Sequence, residues 1–568
     1  MTGRPRHLPA VWAVVLAVLL LGPALGPGYV LSYDLVWVPH LELRGDFLGF
    51  ATSLPRAVPS DALVAVLDDL VPAQPLEKLA LLLPLVSAGI GVARLVGGST
   101  TARLTAVTLA VWNPFTAERL GLGHWTVLVG YGVLPWLVLA GRATRRTGRV
   151  PASAWVLTAL GSLSASAGVV SALTLLVSGI SSPRRLGRAD LTLVACALAG
   201  NAPWLVAGLL HAGSATGGGA SVFSLHGEGH LPAPLAALGL GGIWNAQVVP
   251  GSRTTFLSWV TLVLLLAMAA IGARTWIRRP DSTRLLALWA VGFGIAVLTW
   301  LLPGTTDWLA VHIPGGGLLR DGTRTLALCL PVYAGLPAVG VEVAAGRVAH
   351  GDVEVRRLVA AAGALLPVLL LYDVAWGLSG DLRPAHYPSS WAAARSAGGL
   401  DGGDLLVLPL TAYRAPDWNH DRTVLDPLGR YLAPDYLAAD ALVVDGRTVP
   451  GEDPRVPDAR RALALPTPEA RTTALLDLGV QSVAVERDAA GPPTPRLNAT
   501  VVSDQSDLLL LRLQGEATVR EIPASHRVAM GVAWAAYALA LVGGLVGIGV
   551  GFVTSRRDRD RQLPQRTR

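Results

Sequence analysis

The chain alternates long apolar runs with short loops that carry most of its arginines. A helix needs about 20 mostly apolar residues to cross a bilayer. Runs of this kind occupy residues 9–30, 76–96, 125–140, 191–210, 256–273, 285–302, 325–345, 358–377 and 528–553. A shorter run, 102–112, stops at Asn113-Pro114, where proline removes a backbone donor. The stretch 152–180 is too long for one crossing, and a break is expected between residues 161 and 168. Counted as two, it brings the expected total to about twelve transmembrane helices.

Arginine and lysine in short loops set membrane orientation. With twelve crossings, one side collects Arg94, Arg103, Arg142, Arg145, Arg146, Arg149, Arg184, Arg185, Arg188, Arg274, Arg278, Arg279, Arg284, Arg347, Arg356 and Arg357. The C-terminal tail adds six more arginines between Arg556 and Arg568. This predicts a multi-pass protein of the plasma (inner) membrane with both termini cytoplasmic. Arg4 and Arg6 precede the first run, but residues 22–27 offer no small-x-small cleavage site. The first run therefore reads as a retained helix.

Composition agrees. Of 568 residues 52% are hydrophobic and 15% charged, against roughly 25% charged in soluble domains. The mean hydropathy is +0.49. A soluble protein, a disordered chain, a collagen and a coiled coil are excluded. The net charge of +7 follows from the cytoplasmic loops, so it is no nucleic-acid footprint. Cys196 and Cys329 both lie in apolar runs and read as buried hydrophobes. Lys78 is the single lysine, a mark of a G+C-rich genome rather than of chemistry.

Four exterior loops interrupt the transmembrane domain, which covers residues 1–377. They are residues 31–75, 113–124, 211–255 and 303–324. A longer exterior piece, 378–527, is acidic, with 20 Asp or Glu against 15 Arg. Its β-like runs 404–410, 481–486 and 507–513 alternate with helix-like stretches 391–396 and 468–478, which predicts a small α/β domain. A final transmembrane helix, 528–554, and a basic cytoplasmic tail, 555–568, complete the organisation. No internal repeat, Walker motif, His-Glu-x-x-His or dinucleotide fingerprint occurs.

In a chain so poor in charge, the exterior charges carry the information. Asp34 sits about one helical turn beyond the first run, among apolar residues. Desolvation there raises a carboxyl pKa and suits a general base; a loop-capping acid is the plainer reading. Glu42 and Asp46 are weaker candidates in the same loop. Asp61, Asp68 and Asp69 lie on an amphipathic stretch, 61–70, that reads as a helix flat on the membrane. Glu118 and Arg119 stand where the chain turns back, either as a phosphate-binding arginine with its acid or as a structural ion pair. His124 reads as an interfacial hydrogen-bonder or a metal ligand. Arg320 and Arg324 run against the arginine asymmetry, flank Asp321, and point to an anionic ligand or to a salt bridge with Asp321 or Asp307. Lys78 is one more exterior cation.

Three features together resemble the GT-C superfamily of polytopic membrane glycosyltransferases, especially the large actinobacterial cell-envelope members. They are Asp34 after the first span, the Asn113-Pro114-Phe115…Glu118-Arg119-Leu120…Gly123-His124-Trp125…Leu134-Pro135-Trp136 run, and Leu318-Leu319-Arg320-Asp321 before a late span. The family's first-loop acid often comes as an Asp-x-Asp or Glu-x-Asp pair; Asp34 has no acidic neighbour at that spacing. The resemblance fixes no cofactor and leaves a divalent metal open. It implies inverting transfer of a sugar from a polyprenyl-phosphate donor to a glycan or glycolipid acceptor on the outer face. Asp34 would be the base, and Arg119, Arg320, Arg324 or Lys78 would sit at phosphate. Tyr413, Trp418 and Tyr431 of the exterior domain would stack on sugars or fill its core. The alternatives are a flippase, disfavoured by spans nearly free of acids, and an assembly scaffold. A cavity joining Asp34, Glu118 and Arg320 would favour the enzyme, and separate surfaces for the three would favour the scaffold.

Overall fold

The computed structural model describes residues 7–562 except 51–56, 183, 212–218, 314, 445, 450, 452 and 519–520. Arg4, Arg6, Gly217 and the last six residues of the basic tail lie outside the described residues.

Among the described residues eight helices are long and apolar enough to cross a membrane: Leu8–Leu25, Ala73–Val96, Trp125–Thr147, Arg188–Leu210, Leu257–Ile277, Ser282–Leu301, Gly322–Val348 and Ala524–Thr554. A ninth arises if Val353–Leu370 and Tyr372–Gly380, bent by 73° at their break, form one span. The expected count of about twelve is not reached. The other three runs are helical but short: Thr100–Val111, Ala152–Leu160 and Ala165–Gly179. For Thr100–Val111 the reason is burial. Ala102, Ala106, Val107, Ala110 and Val111 are fully enclosed by other helices. A helix shielded by protein needs no bilayer-matched length, so an apolar run signals burial without guaranteeing a crossing. The expected break in 152–180 falls between Leu160 and Ala165.

Side-chain contacts define two ends of the bundle. At one end Arg142 and Arg145 pair with Asp281, Arg284 donates to the carbonyls of Val177 and Ile180, and Arg279 donates to that of Val96. These are the arginine-rich loops that the charge pattern placed together. At the other end the remaining loops meet the 378–527 region.

That region holds a five-stranded mixed sheet of β1 (Asp404–Leu408), β2 (Tyr436–Leu437), β3 (Val480–Glu486), β4 (Ala499–Asp504) and β5 (Leu508–Leu513), in the order β4-β5-β3-β1-β2. β1 runs parallel to β2 and β3, and β5 runs antiparallel to β3 and β4. The helices Ser389–Ser396 and Pro468–Asp477 lie close to the stretches expected. One sheet face buries Leu406, Leu408, Val480 and Val483 with Val456, Ala459 and Leu475 from the helices that cover it. The opposite face, with Leu405, Val407 and Leu508, joins the core shared with the membrane helices. The region is therefore anchored on the first loop. Arg44 donates to the carbonyls of Gly429, Arg430, Leu432 and Pro434, and Tyr387 donates to that of Trp37.

Helix Ser60–Asp68 keeps Ser60, Asp61, Ala62, Val64 and Ala65 inside, with Asp61 paired to Arg430, and leaves Val66, Leu67, Leu70 and Val71 exposed. Only its outer face suits the membrane surface expected for the whole stretch.

Candidate active site

Asp34 sits at the tip of a four-residue turn. Ser32 and Leu35 exchange backbone hydrogen bonds, and Tyr33 takes φ +47°. The turn is clamped on both sides. Asp34 N–H donates to Leu122 O, Tyr33 N–H donates to Thr423 O, and Leu425 N–H donates to Tyr33 O. Ser32 Oγ donates to Gly121 O at 2.6 Å. Gly123 makes this approach feasible. Its φ is +80°, and a Cβ there would lie 2.1 Å from Leu35 N and 2.4 Å from Ser32 O. The left-handed conformation also disfavours any other residue.

Asn113 starts the next piece of the site. It caps helix Pro114–Gly121 in a reciprocal box with Thr116. Its amide also donates to Leu109 O and Tyr131 Oη. The helix delivers Arg119, and the turn after it delivers His124.

Arg119 Nη1 donates to Asp321 Oδ2 at 2.7 Å and Nη2 to Oδ1 at 3.3 Å, a bidentate pair. Thr323 Oγ1 accepts from Nη2 and donates to Asp321 Oδ1. Nη1 also lies 3.0 Å from His124 Nδ1. A guanidinium only donates, so Nδ1 is the acceptor and the ring proton sits on Nε2. Nε2–H then donates to Asp34 Oδ2 at 3.1 Å. The other carboxylate oxygen accepts from Tyr413 Oη of the exterior region. Arg324 Nε donates to Asp321 Oδ2 at 3.0 Å and holds its guanidinium beside His124.

Exposure separates the members of this network. The side chains of Arg119, Asp321 and His124 are 1%, 4% and 7% exposed; those of Asp34 and Arg324 are 41% and 34%. A buried, charge-paired scaffold thus presents one carboxylate and one guanidinium to the outside. The electrostatics follow. Burial together with the Arg324 charge pushes His124 down to about 4, so the ring is neutral. Burial raises the Asp34 carboxyl, but hydrogen bonds from His124 and Tyr413 and the Arg324 charge outweigh it, and the net shift is downward. The upward shift expected for Asp34 is thereby corrected: hydrogen-bond donors and a cation oppose desolvation. Asp321, between two arginines, is driven far below the carboxylate range.

The donor set does not fit a divalent metal at Asp34. His124 spends its one lone-pair nitrogen on Arg119, and Asp321 is occupied by Arg119, Thr323 and Arg324. Asp34 is left as the single available ligand, facing a cation.

Three expected site residues lie elsewhere. Glu118 is buried against Glu228, whose Oε2 accepts from Arg253 Nε at 2.6 Å. Burial first, and then the Glu228 charge, raise Glu118 well above the carboxylate range, so it stays protonated. It forms no ion pair with Arg119. The Arg320 guanidinium stacks over the Phe223 ring at 4.0 Å. Lys78 pairs with the fully buried Glu77 at 2.8 Å. Asp34, Glu118 and Arg320 thus do not share one cluster, so the joint placement expected to favour an enzyme over a scaffold is not met by these three; Asp321 and Arg324 are the charges gathered around Asp34 and His124. Of the three aromatics, Tyr413 reaches Asp34, whereas Trp418 and Tyr431 pack with Tyr387 and Trp391 inside the exterior region. Thr323, Glu228 and Arg253 carry no local sequence signal; only the fold brings them in.

No protein-family model matches the sequence, and no curated protein matches it. Among solved structures, the arabinofuranosyltransferase AftD from Mycobacteria aligns with a TM-score of 0.53 at 17% identity, over 91% of this chain and 40% of that one. The chain shares the fold of that structure. It spans 40% of the length of AftD, and at that identity the likeness is one of fold. An oligosaccharyltransferase of Archaeoglobus fulgidus in its apo form is similar at a TM-score of 0.43 and 12% identity, over 85% of this chain and 70% of that one. Within this fold, the Asp34 network lies at the bundle end where the first, second and fourth loops meet the C-terminal sheet region.

Proposed function

We propose that the protein is a membrane glycosyltransferase that moves a sugar from a polyprenyl-phosphate donor to a cell-envelope glycan or lipid acceptor on the extracytoplasmic face. The observation that carries this reading is an open carboxylate, Asp34, set beside the open guanidinium of Arg324 on a buried, charge-paired support. The arginine excess of the opposite bundle end supports a cytoplasmic side there and an outer face at Asp34, in a bacterial plasma membrane.

The chemistry is a single displacement. The Asp34 carboxylate takes the proton of the acceptor hydroxyl as its oxygen attacks the anomeric carbon. The bond from that carbon to the donor phosphate oxygen breaks, with inversion, and the polyprenyl phosphate leaves with the bonding pair. Arg324 holds the negative charge that develops on the phosphate. Arg119 is enclosed and engaged by Asp321, so its role is to position His124. His124, neutral and donating through Nε2, orients the Asp34 carboxylate. Tyr413 ties the exterior region to the same carboxylate. Its hydroxyl lies within reach of the acceptor that region would hold.

The test uses membranes carrying the full chain and a labelled polyprenyl-phosphate sugar. Asp34→Asn abolishes transfer under this proposal; full transfer by that variant overturns it. A flippase would move lipid-linked sugar across vesicles with Asp34→Asn unimpaired.

A further inference from the structure

The first exterior loop carries a second polar cluster. His40, Asp68 and Asp69 each bring one donor atom, and the three atoms lie within 4.8 Å of one another. His40 Nδ1 is 3.3 Å from Asp68 Oδ1 and 3.9 Å from Asp69 Oδ1. On the far side of the ring, Nε2 is 3.5 Å from Glu42 Oε2, which accepts from Arg395 Nη2 at 3.1 Å. Arg395 Nη1 also donates to His40 O at 2.7 Å. Carboxylates flank both ring nitrogens, and in the tautomer that carries its proton on Nε2, beside Glu42, Nδ1 is an acceptor. Nδ1 then turns its lone pair toward two carboxylate oxygens.

Three lone pairs facing one another repel unless a positive charge lies among them. Asp68 makes the requirement acute. Its side chain is 1% exposed; Oδ2 accepts from Leu41 N–H at 2.7 Å, while Oδ1 faces the His40 ring at 3.3 Å. Water does not reach that oxygen, and it is aimed at the centre of the cluster. Glu42 and Arg395 supply the outer carboxylate and its support, the arrangement that fixes the tautomer of a metal-bound histidine.

We propose that His40, Asp68 and Asp69 bind a divalent transition metal at the seam between the first exterior loop and the C-terminal sheet region. Ligand bonds of about 2.0–2.2 Å put neighbouring tetrahedral donors roughly 3.4 Å apart, so the cluster closes on an ion with small side-chain shifts. One imidazole nitrogen and two carboxylate oxygens suit Zn²⁺ or Mn²⁺. Ca²⁺ and Mg²⁺ prefer all-oxygen shells. His40 and Asp69 are 45% and 65% exposed, which leaves water to complete the coordination. The metal fastens helix Ser60–Asp68 to the segment that Arg395 ties to the sheet region. This role is structural and separate from the Asp34 carboxylate, and the inference stands whether or not sugar transfer is the activity.

The test is metal content of the full-length protein in detergent, stripped with chelator and dialysed against Zn²⁺ or Mn²⁺ alone. The wild type retains about one ion per chain and gains thermal stability from it. His40→Ala and Asp69→Asn lose both effects, and Asp69 is exposed enough for that variant to fold. Glu42→Gln binds about 10- to 100-fold more weakly. Asp34→Asn binds as wild type. The proposal fails if wild type takes up no ion, which would leave His40 as an imidazolium between carboxylates. It also fails if His40→Ala retains the ion, or if Asp34→Asn alone loses it.

Discussion

Glu118 and Arg119 are consecutive on one short helix, both almost fully enclosed, yet they belong to two different polar clusters. Arg119 enters a network that ends in an open carboxylate. Glu118 enters a closed one with Glu228 and Arg253, the first 0% exposed at its side chain and the second 3%. The contrast teaches what makes buried charge useful. In both clusters every charge is matched, as burial demands. Only the Asp34 network leads to the surface, so only there does the pairing orient a group that a substrate can reach. In the Glu118 cluster one proton replaces a missing cation, and the result joins the second loop to the third.

This contrast sets the scale of effects expected in a transfer assay and in thermal unfolding. Asp34→Asn removes the base and should lower transfer by about 10²–10⁴-fold, with little change in melting temperature because the side chain is open. Arg119→Ala removes a bidentate partner from buried Asp321, leaving it Arg324 and Thr323, and should cost about 1.5–3 kcal/mol of stability, measurable by denaturation in detergent. Retained stability would mean that the scaffold is not held by this pair. Gly123→Ala drives a Cβ into the Asp34 turn and should lower transfer about 100-fold through misplacement of the carboxylate. Arg324→Gln should lower transfer about 10- to 100-fold, as expected for a lost charge-assisted contact to phosphate, and leave stability nearly unchanged. Smallest is Glu118→Gln, which substitutes a neutral amide for a carboxyl that is already protonated and should be close to silent at pH 7. Its signature is in pH dependence. A carboxyl raised on folding contributes stability that is complete below its unfolded value and lost as pH rises through its folded one. The wild type should therefore weaken on alkalinisation more than Glu118→Gln does; equal curves would show that Glu118 is ionised.

Much of the site was legible because its residues defy the composition around them. Asp34, Arg119, Asp321 and Arg324 are charges outside the arginine-rich loops of a charge-poor chain, and Asn113-Pro114 marks a helix end next to them. The same rule gave Glu118, Arg320 and Lys78 equal weight. Their partners, Glu228, the Phe223 ring and Glu77, divert them, and a partner more than 90 positions away leaves no local trace. Lys78 is different: its partner is adjacent in sequence, but the burial of Glu77 that makes the pair binding is not visible there. Tyr413 was legible as an aromatic of the exterior region, whereas its reach to Asp34, 379 residues away, was not.

The sequence by itself determined the membrane character, the two-sided distribution of arginine, the break after Leu160 and the α/β character of the C-terminal region. Each of these rests on local statistics: apolar run length, charge per loop, and period. The tertiary structure alone decided how many runs are long enough to span, since lipid and protein neighbours reward the same apolar residues. It also decided the protonation of Asp34, His124 and Glu118, because a pKa depends on charges and donors brought together across the chain. Which of two adjacent charged residues faces the reaction is set by the direction of one short helix against three loops, and no local pattern encodes that direction.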